Sequence, residues 1–91
     1  MKKISDYNFS PSWQLGELGM KPGDAYRVLT DLRDLKKGEL VEFIGFDDVD
    51  NHYGIFVFTD SEDNILEVGG DFSGLNHSLF LDLKLALARV E

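Results

Sequence analysis

The chain has 91 residues, 43% of them hydrophobic, with no cysteine and a net charge of −8; this describes one small globular domain and excludes a disulfide scaffold, a thiolate zinc site and a cysteine nucleophile. No apolar run approaches the ~20 residues that span a bilayer, and Ser5, Asp6 and Asn8 stand where the apolar core of a signal peptide would follow Met1-Lys2-Lys3. A cytoplasmic protein of bacterial type is expected.

In the first segment Phe9, Trp13, Leu15, Leu18 and Met20 are spaced among Pro11, Gly16 and Gly19. Ser10-Pro11 suits the cap and first position of one helical turn, but the glycines argue against a long helix. Residues 1–21 are expected to form an arm of ordered coil with at most one helical turn, its aromatics packed on the body and the sole tryptophan, Trp13, filling a groove of its own domain. Pro22-Gly23 then marks a turn.

Ala25 to Thr30 alternates as a strand with Tyr26 and Val28 on one face. Asp31 to Gly38 is charged and ends in glycine, as a loop with a tight turn does. Leu40 to Phe46 reads as a second strand, with Val41 and Phe43 on one face and Leu40, Glu42, Ile44 and Phe46 on the other. Asp47 to Tyr53 is too polar for an element interior and is expected to be a turn. Gly54 to Thr59, with Ile55, Phe56, Val57 and Phe58, carries the strongest strand signal of the chain. Asp60-Ser61-Glu62-Asp63-Asn64 is a hairpin connection to a returning strand, Ile65 to Val68, which Gly69-Gly70 ends.

The tail from Ser78 carries two periods. Leucines at 79, 81, 83, 85 and 87 alternate as in a strand, while 79, 83 and 87 also fall at helical spacing. About twelve residues without Gly or Pro is long for a strand and ordinary for a helix, so a helix is expected. The third strand imposes a further demand: Ile55/Val57 on one face and Phe56/Phe58 on the other both need cover. The leucine-rich tail and the Trp13 arm are the available covers. The expected fold is mostly β, a small antiparallel barrel over residues 22–70 with an N-terminal arm (1–21) and a helical C-terminal cover (71–91).

Asp34-Leu35-Lys36-Lys37-Gly38-Glu39-Leu40-Val41-Glu42-Phe43 resembles the diverging-turn region of SH3-like barrels. The resemblance implies that Val41 and Phe43, third and fifth after the glycine, point inward. From Met20 to Val68 the chain looks like small bacterial domains of this barrel type, which implies an SH3-like fold and by itself no activity. The Ala-Leu-Tyr-Asp-Tyr run of peptide-binding SH3 domains is absent, so recognition of proline-rich peptides does not carry over.

Signals for chemistry are sparse. The glycines at 69, 70 and 74 fit neither a P-loop nor a dinucleotide fingerprint, and Gly70-Asp71-Phe72-Ser73-Gly74 misplaces its serine for a nucleophile elbow. Ser73 or Ser78 with His52 or His77 and one of many acids makes a triad by arithmetic alone. Asp47, Asp48, Asp50 and Asn51 crowd oxygen donors but lack the glycine and closing glutamate of an EF-hand loop. His52 and His77 without cysteine are a weak zinc set. The expectation is a non-enzyme without cofactor or metal; a cation-binding or metal-dependent enzyme using the Asp47–His52 loop is the alternative.

Charge placement says more. Residues 1–37 carry seven basic and five acidic side chains, whereas Gly38 to Leu83 contains eleven acids and no Lys or Arg. That stretch repels nucleic acid and anionic membrane surfaces and attracts a basic protein. Because successive turns of a meander lie at opposite ends, two acidic ends are expected. Asp47, Asp48, Asp50, His52 and Tyr53 form one, Glu62 and Asp63 the other, with Glu42, Glu67 and Asp71 between them. Tyr53 among carboxylates suits a lysine or arginine contact. The function expected is a protein-interaction module for a basic partner, one concrete form being an antidote (immunity-type) protein that fills a toxin's cationic groove. An accessory domain that oligomerises through the Phe56/Phe58 face is a further alternative.

Overall fold

The computed structural model describes residues 3–9, 12–50, 53–72, 74 and 77–90. Alternation of apolar residues yields β1 (Ala25–Val28), β2 (Leu40–Asp50), β3 (Tyr53–Thr59) and β4 (Ile65–Gly70), and a short β5 (Leu87–Arg89) follows late in the chain. All pairings are antiparallel and the strand order is β4-β3-β2-β1-β5. β4 and β5 are the two edges and do not pair with each other, so the sheet is open. Helix α1 (Trp13–Leu18) precedes β1, and helix α2 (Ser78–Ala86) runs directly into β5. The fold is thus mostly β with a C-terminal helix.

Four local readings of the sequence need correction. The arm's helix exceeds a single turn: Ser12 occupies the N-cap position of the six-residue α1, and Gly19, at φ 67°, ends it in the left-handed conformation that glycine adopts without strain. Ser10-Pro11 lies outside the described residues. β2 does not stop at Phe46 but continues through Asp47, Asp48 and Asp50, which pair with Ile55, Gly54 and Tyr53. Polar side chains tolerate this because the backbone ladder is satisfied whatever the side chains do, and those of Asp48 and Asp50 are exposed. Phe46 is buried on the same side as Phe43, three positions away. The register shift between Phe43 and Gly45 inserts a bulge that reverses the alternation from there on. β4 likewise includes Gly69 and Gly70, which pair with Ile55 and Gly54.

The tail resolves its two periods in sequence. Leu79, Phe80, Leu83 and Ala86 bury one face of α2, leaving Leu81 and Leu85 exposed. Beyond Ala86 the backbone extends, pairing Leu87 with Val28 and Arg89 with Tyr26.

The inner face of the sheet holds an aromatic core. Phe43, Phe46, Phe56, Phe58, Phe72 and Phe80 are fully buried, with ring centroids 4.5 Å apart for Phe46–Phe56 and 4.7 Å for Phe56–Phe72. Leu79 and Leu83 of α2 close this core, and Gln14 of α1 is tied to it by donating to the Phe72 carbonyl at 3.0 Å. Trp13 is not sunk in a groove. It stacks on Phe80 at 5.8 Å and remains 49% exposed.

The outer face is covered by the N-terminal arm, one of the two covers the sequence offers, through Tyr7 and Phe9 rather than Trp13. Val57 is flanked across the strands by Gly45 and Glu67. Phe9 lies on Gly45, so close that a Cβ there would stand 2.7 Å from its ring. Tyr7 stacks on Phe9 at 5.6 Å and donates its hydroxyl to Glu67. The pair therefore spans the row in which Val57 sits, and Val57 is fully buried. One sheet edge is also blunted: Asp34 exchanges hydrogen bonds with Glu67, and Arg33 Nε donates to the Gly69 carbonyl. Covered edges resist pairing with other chains.

The two faces predict different tolerance to a methyl group. A Cβ at Gly54 would collide with the buried Phe46 ring, so Gly54→Ala is expected to cost about 1–3 kcal/mol. Gly45→Ala meets only Phe9, half-buried on the arm and free to lift, and is expected to cost less. Chemical denaturation of both variants checks this ordering, and equal losses would contradict it.

Candidate functional site

The meander sends the two groups of acids to opposite ends of the sheet. β3 has seven residues and separates the β2–β3 turn from the β3–β4 turn by roughly 20 Å at the usual rise per residue. Asp47, Asp48, Asp50 and Tyr53 come together at the first end, and Glu62 and Asp63 stand at the second. The six described residues of this set therefore stand at the two ends that a meander implies. His52 and Asn51 lie outside the described residues.

At the first end the acids do different things. Asp47 faces the arm: it forms a β-bridge with Phe9 and its Oδ2 accepts the Asn8 N–H at 3.3 Å. Asp48 and Asp50 are exposed, and Val49, at the register shift between them, is 51% exposed. Tyr53 opens β3, and its hydroxyl lies across Gly69, where a Cβ would collide with it. Glycine there lets the ring lie flat on the sheet while Tyr53 stays 44% exposed. Asp71 leaves β4 at this same end, where Gly70 pairs with Gly54, and its carboxylate is 3.7 Å from His77 Nε2. The tip thus combines carboxylates with two exposed apolar side chains.

The second end is organised by Asp60. Its Oδ1 accepts the N–H groups of Glu62 and Asn64, both at 2.9 Å, and its Oδ2 accepts the Asn64 side chain at 3.0 Å. These bonds, first the Asn64 side chain and then its backbone, hold the Asp60 carboxyl below its ordinary value. A carboxylate so depressed contributes stability above its ordinary pKa that is lost as pH falls through the lowered value. Asp63 sits at φ 62°, which leaves Glu62 and Asp63 exposed at the tip. Beside them, Ala25, Leu40, Glu42, Thr59, Asp60 and Asp63 border a shallow groove of about 230 Å³.

One polar contact between arm and sheet joins residues sixty apart in sequence. Tyr7 donates to Glu67 Oε2 at 2.6 Å. Burial raises the Tyr7 pKa well above its ordinary value, and the hydrogen bond to Glu67 and that residue's charge raise it further. No local pattern marks such a pair, because the two residues meet only after β4 has paired. Tyr26 is also raised, mainly by burial, with Arg89 acting in the opposite direction.

Among the described residues no group of three His, Asp or Glu side chains is placed to hold a metal ion. No helix among them is long and apolar enough to cross a membrane. Comparison with known proteins finds no matching family model, curated protein or solved structure. The arrangement must be read from its own geometry.

Because Tyr7 is raised, its contribution to stability is complete below about pH 10 and is lost only as pH rises through the elevated value. Ultraviolet titration of the folded protein should show phenolate forming late. Tyr7→Phe should remove a late phase, and loss of a phase near pH 10 instead would contradict the half-buried hydrogen bond from Tyr7 to Glu67.

Proposed function

We propose that this protein is a non-enzymatic interaction module whose β2–β3 hairpin end receives a basic segment of a protein partner. The observation that carries this reading is the composition of that end. Asp48 and Asp50 are exposed beside half-exposed Val49 and Tyr53, on a hairpin whose two strands lie within a stretch with no Lys or Arg. Tyrosine and an aliphatic side chain supply desolvated contact area, where binding energy concentrates. The carboxylates supply steering and register, and oppose acidic competitors. The opposite end, Glu62 and Asp63, is acidic but offers no exposed aromatic residue among the described ones, so it adds to the field more than to contact.

A protein that neutralises a toxin by filling its cationic groove is one form such a module takes. We further propose that the open sheet is related to SH3-like folds, although β4 and β5 do not close it into a barrel. In support, the strand order places β1 between β2 and β5, and a tight turn at Lys36–Glu39, with Gly38 at φ 93°, feeds β2. Val41 and Phe43 are buried, as that resemblance requires. Self-association through Phe56 and Phe58 is not part of this reading, because both rings are buried in the protein's own core.

The test is affinity capture from the source organism's lysate with three baits: the native chain, an Asp48→Lys/Asp50→Lys variant, and a Glu62→Lys/Asp63→Lys variant. All four positions are exposed, so the folds should match by circular dichroism. A basic protein held by the native chain should bind the first variant at least about tenfold more weakly, a loss of ~1.4 kcal/mol, and the second nearly as well as before. Equal retention by the first variant would falsify the assignment of this end.

A further inference from the structure

On the far side of the sheet from the acidic hairpin, the chain leaves a cavity of about 260 Å³ between the end of α1, β1, α2 and β5, lined by Leu18, Met20, Tyr26, Leu83, Lys84 and Leu87. Its floor reaches the core, for Met20, Tyr26 and Leu83 are buried. Leu18 and Leu87 are half-buried, and Lys84 is exposed. The gradient therefore runs from an apolar interior to a single cation at the rim. Lys84 makes no hydrogen bond or ion pair among the described residues. The guanidinium of Arg89 beyond the cavity is already occupied, donating to the Gly19 carbonyl and to Asp24 Oδ2, the latter at 3.0 Å.

We propose that this cavity is a binding site for a medium-chain carboxylate, with the chain among Leu18, Met20, Leu83 and Leu87 and the carboxylate at the Lys84 ammonium. Three features of the site select that class. The walls give an acyl chain the apolar surface of Leu18, Met20, Leu83 and Leu87, and besides Lys84 the polar side chain lining them is Tyr26, whose hydroxyl points to Asp24 Oδ2 at 3.5 Å. The volume lies just below the roughly 300–1,000 Å³ of sites that hold drug-sized ligands, which suits a short chain and excludes a long or branched lipid. The single cation, on a flexible stem that itself lies along apolar surface, matches one negative charge. The site draws nothing from the acidic end and does not depend on the function proposed above.

The experiment uses the native chain with three probes of equal chain length: octanoate, octanol and octylammonium, each kept below its micellar range. Methyl resonances of Leu18, Met20 and Leu87 report occupancy. Octanoate should bind saturably and shift these methyls, and it should bind more tightly than octanol and octylammonium although the protein's net charge of −8 favours the ammonium. Lys84→Glu, an exposed substitution, should weaken octanoate about five- to tenfold, the scale of an exposed ion pair lost and replaced by repulsion, and should make octylammonium the preferred probe. Equal binding of octanoate and octanol by the native chain would overturn the role of Lys84. Absence of saturable binding, or shifts confined to other methyls, would overturn the site itself.

Discussion

Strand β3 is apolar on both faces, and the rest of the structure is arranged by the need to cover it. Phe56 and Phe58 point to one side and Val57 to the other, and all three are fully buried. Burying a side chain of this kind stabilises the fold by about 1.5–3 kcal/mol, so a face left open would forfeit a large share of a small domain's margin. The inner face is sealed by the phenylalanines of β2, by Phe72 and by α2, against which α1 packs through Trp13. The outer face is sealed by Tyr7 and Phe9 of the arm. Gly45 follows from that second cover, because any larger residue would hold Phe9 off the sheet.

Covering both faces leaves the acids few places to go. A carboxylate beneath either cover would lose its hydration without a cation to compensate, and Gly38 to Leu83 contains no Lys or Arg. Most of the acids of β2 to β4 accordingly lie at strand ends and turns. Two of the carboxylates are also held by the arm: Glu67 Oε2 accepts the Tyr7 hydroxyl and Asp47 Oδ2 accepts the Asn8 N–H. The charged ends are thus a consequence of how β3 is buried. The end that also exposes Val49 and Tyr53 is the one proposed to receive a partner.

Much of this was legible in the sequence where one local rule decided the outcome. The strands carrying Tyr26/Val28, Val41/Phe43 and Ile55 to Phe58, the turn at Gly38, the hairpin at Asp60–Asn64 and the start of α2 at Ser78 all follow from periodicity and turn chemistry. The separation of Asp48 and Asp50 from Glu62 and Asp63 followed from the topology of a meander. What was not legible required information from elsewhere in the chain. The bulge at Phe43–Gly45, which buries Phe46, leaves no mark in the composition of β2. The extension of β2 into Asp47–Asp50 depends on Ile55 and Gly54 offering a ladder, and the Tyr7–Glu67 pair exists only after β4 has folded back. Trp13 misled because a lone tryptophan suggests full burial, whereas here one face of its ring is satisfied by Phe80 and the other is left to solvent.

The central proposal is that the β2–β3 hairpin tip is the surface that would meet a basic protein partner. The most direct measurement is an amide and methyl chemical-shift map of the isotope-labelled chain, free and bound to its partner at a salt concentration high enough to screen long-range attraction. The account predicts changes concentrated at Asp48, Val49, Asp50 and Tyr53, with Glu62 and Asp63 nearly unmoved. Changes centred instead on Trp13, Leu81 and Leu85, with the hairpin tip silent, would contradict it.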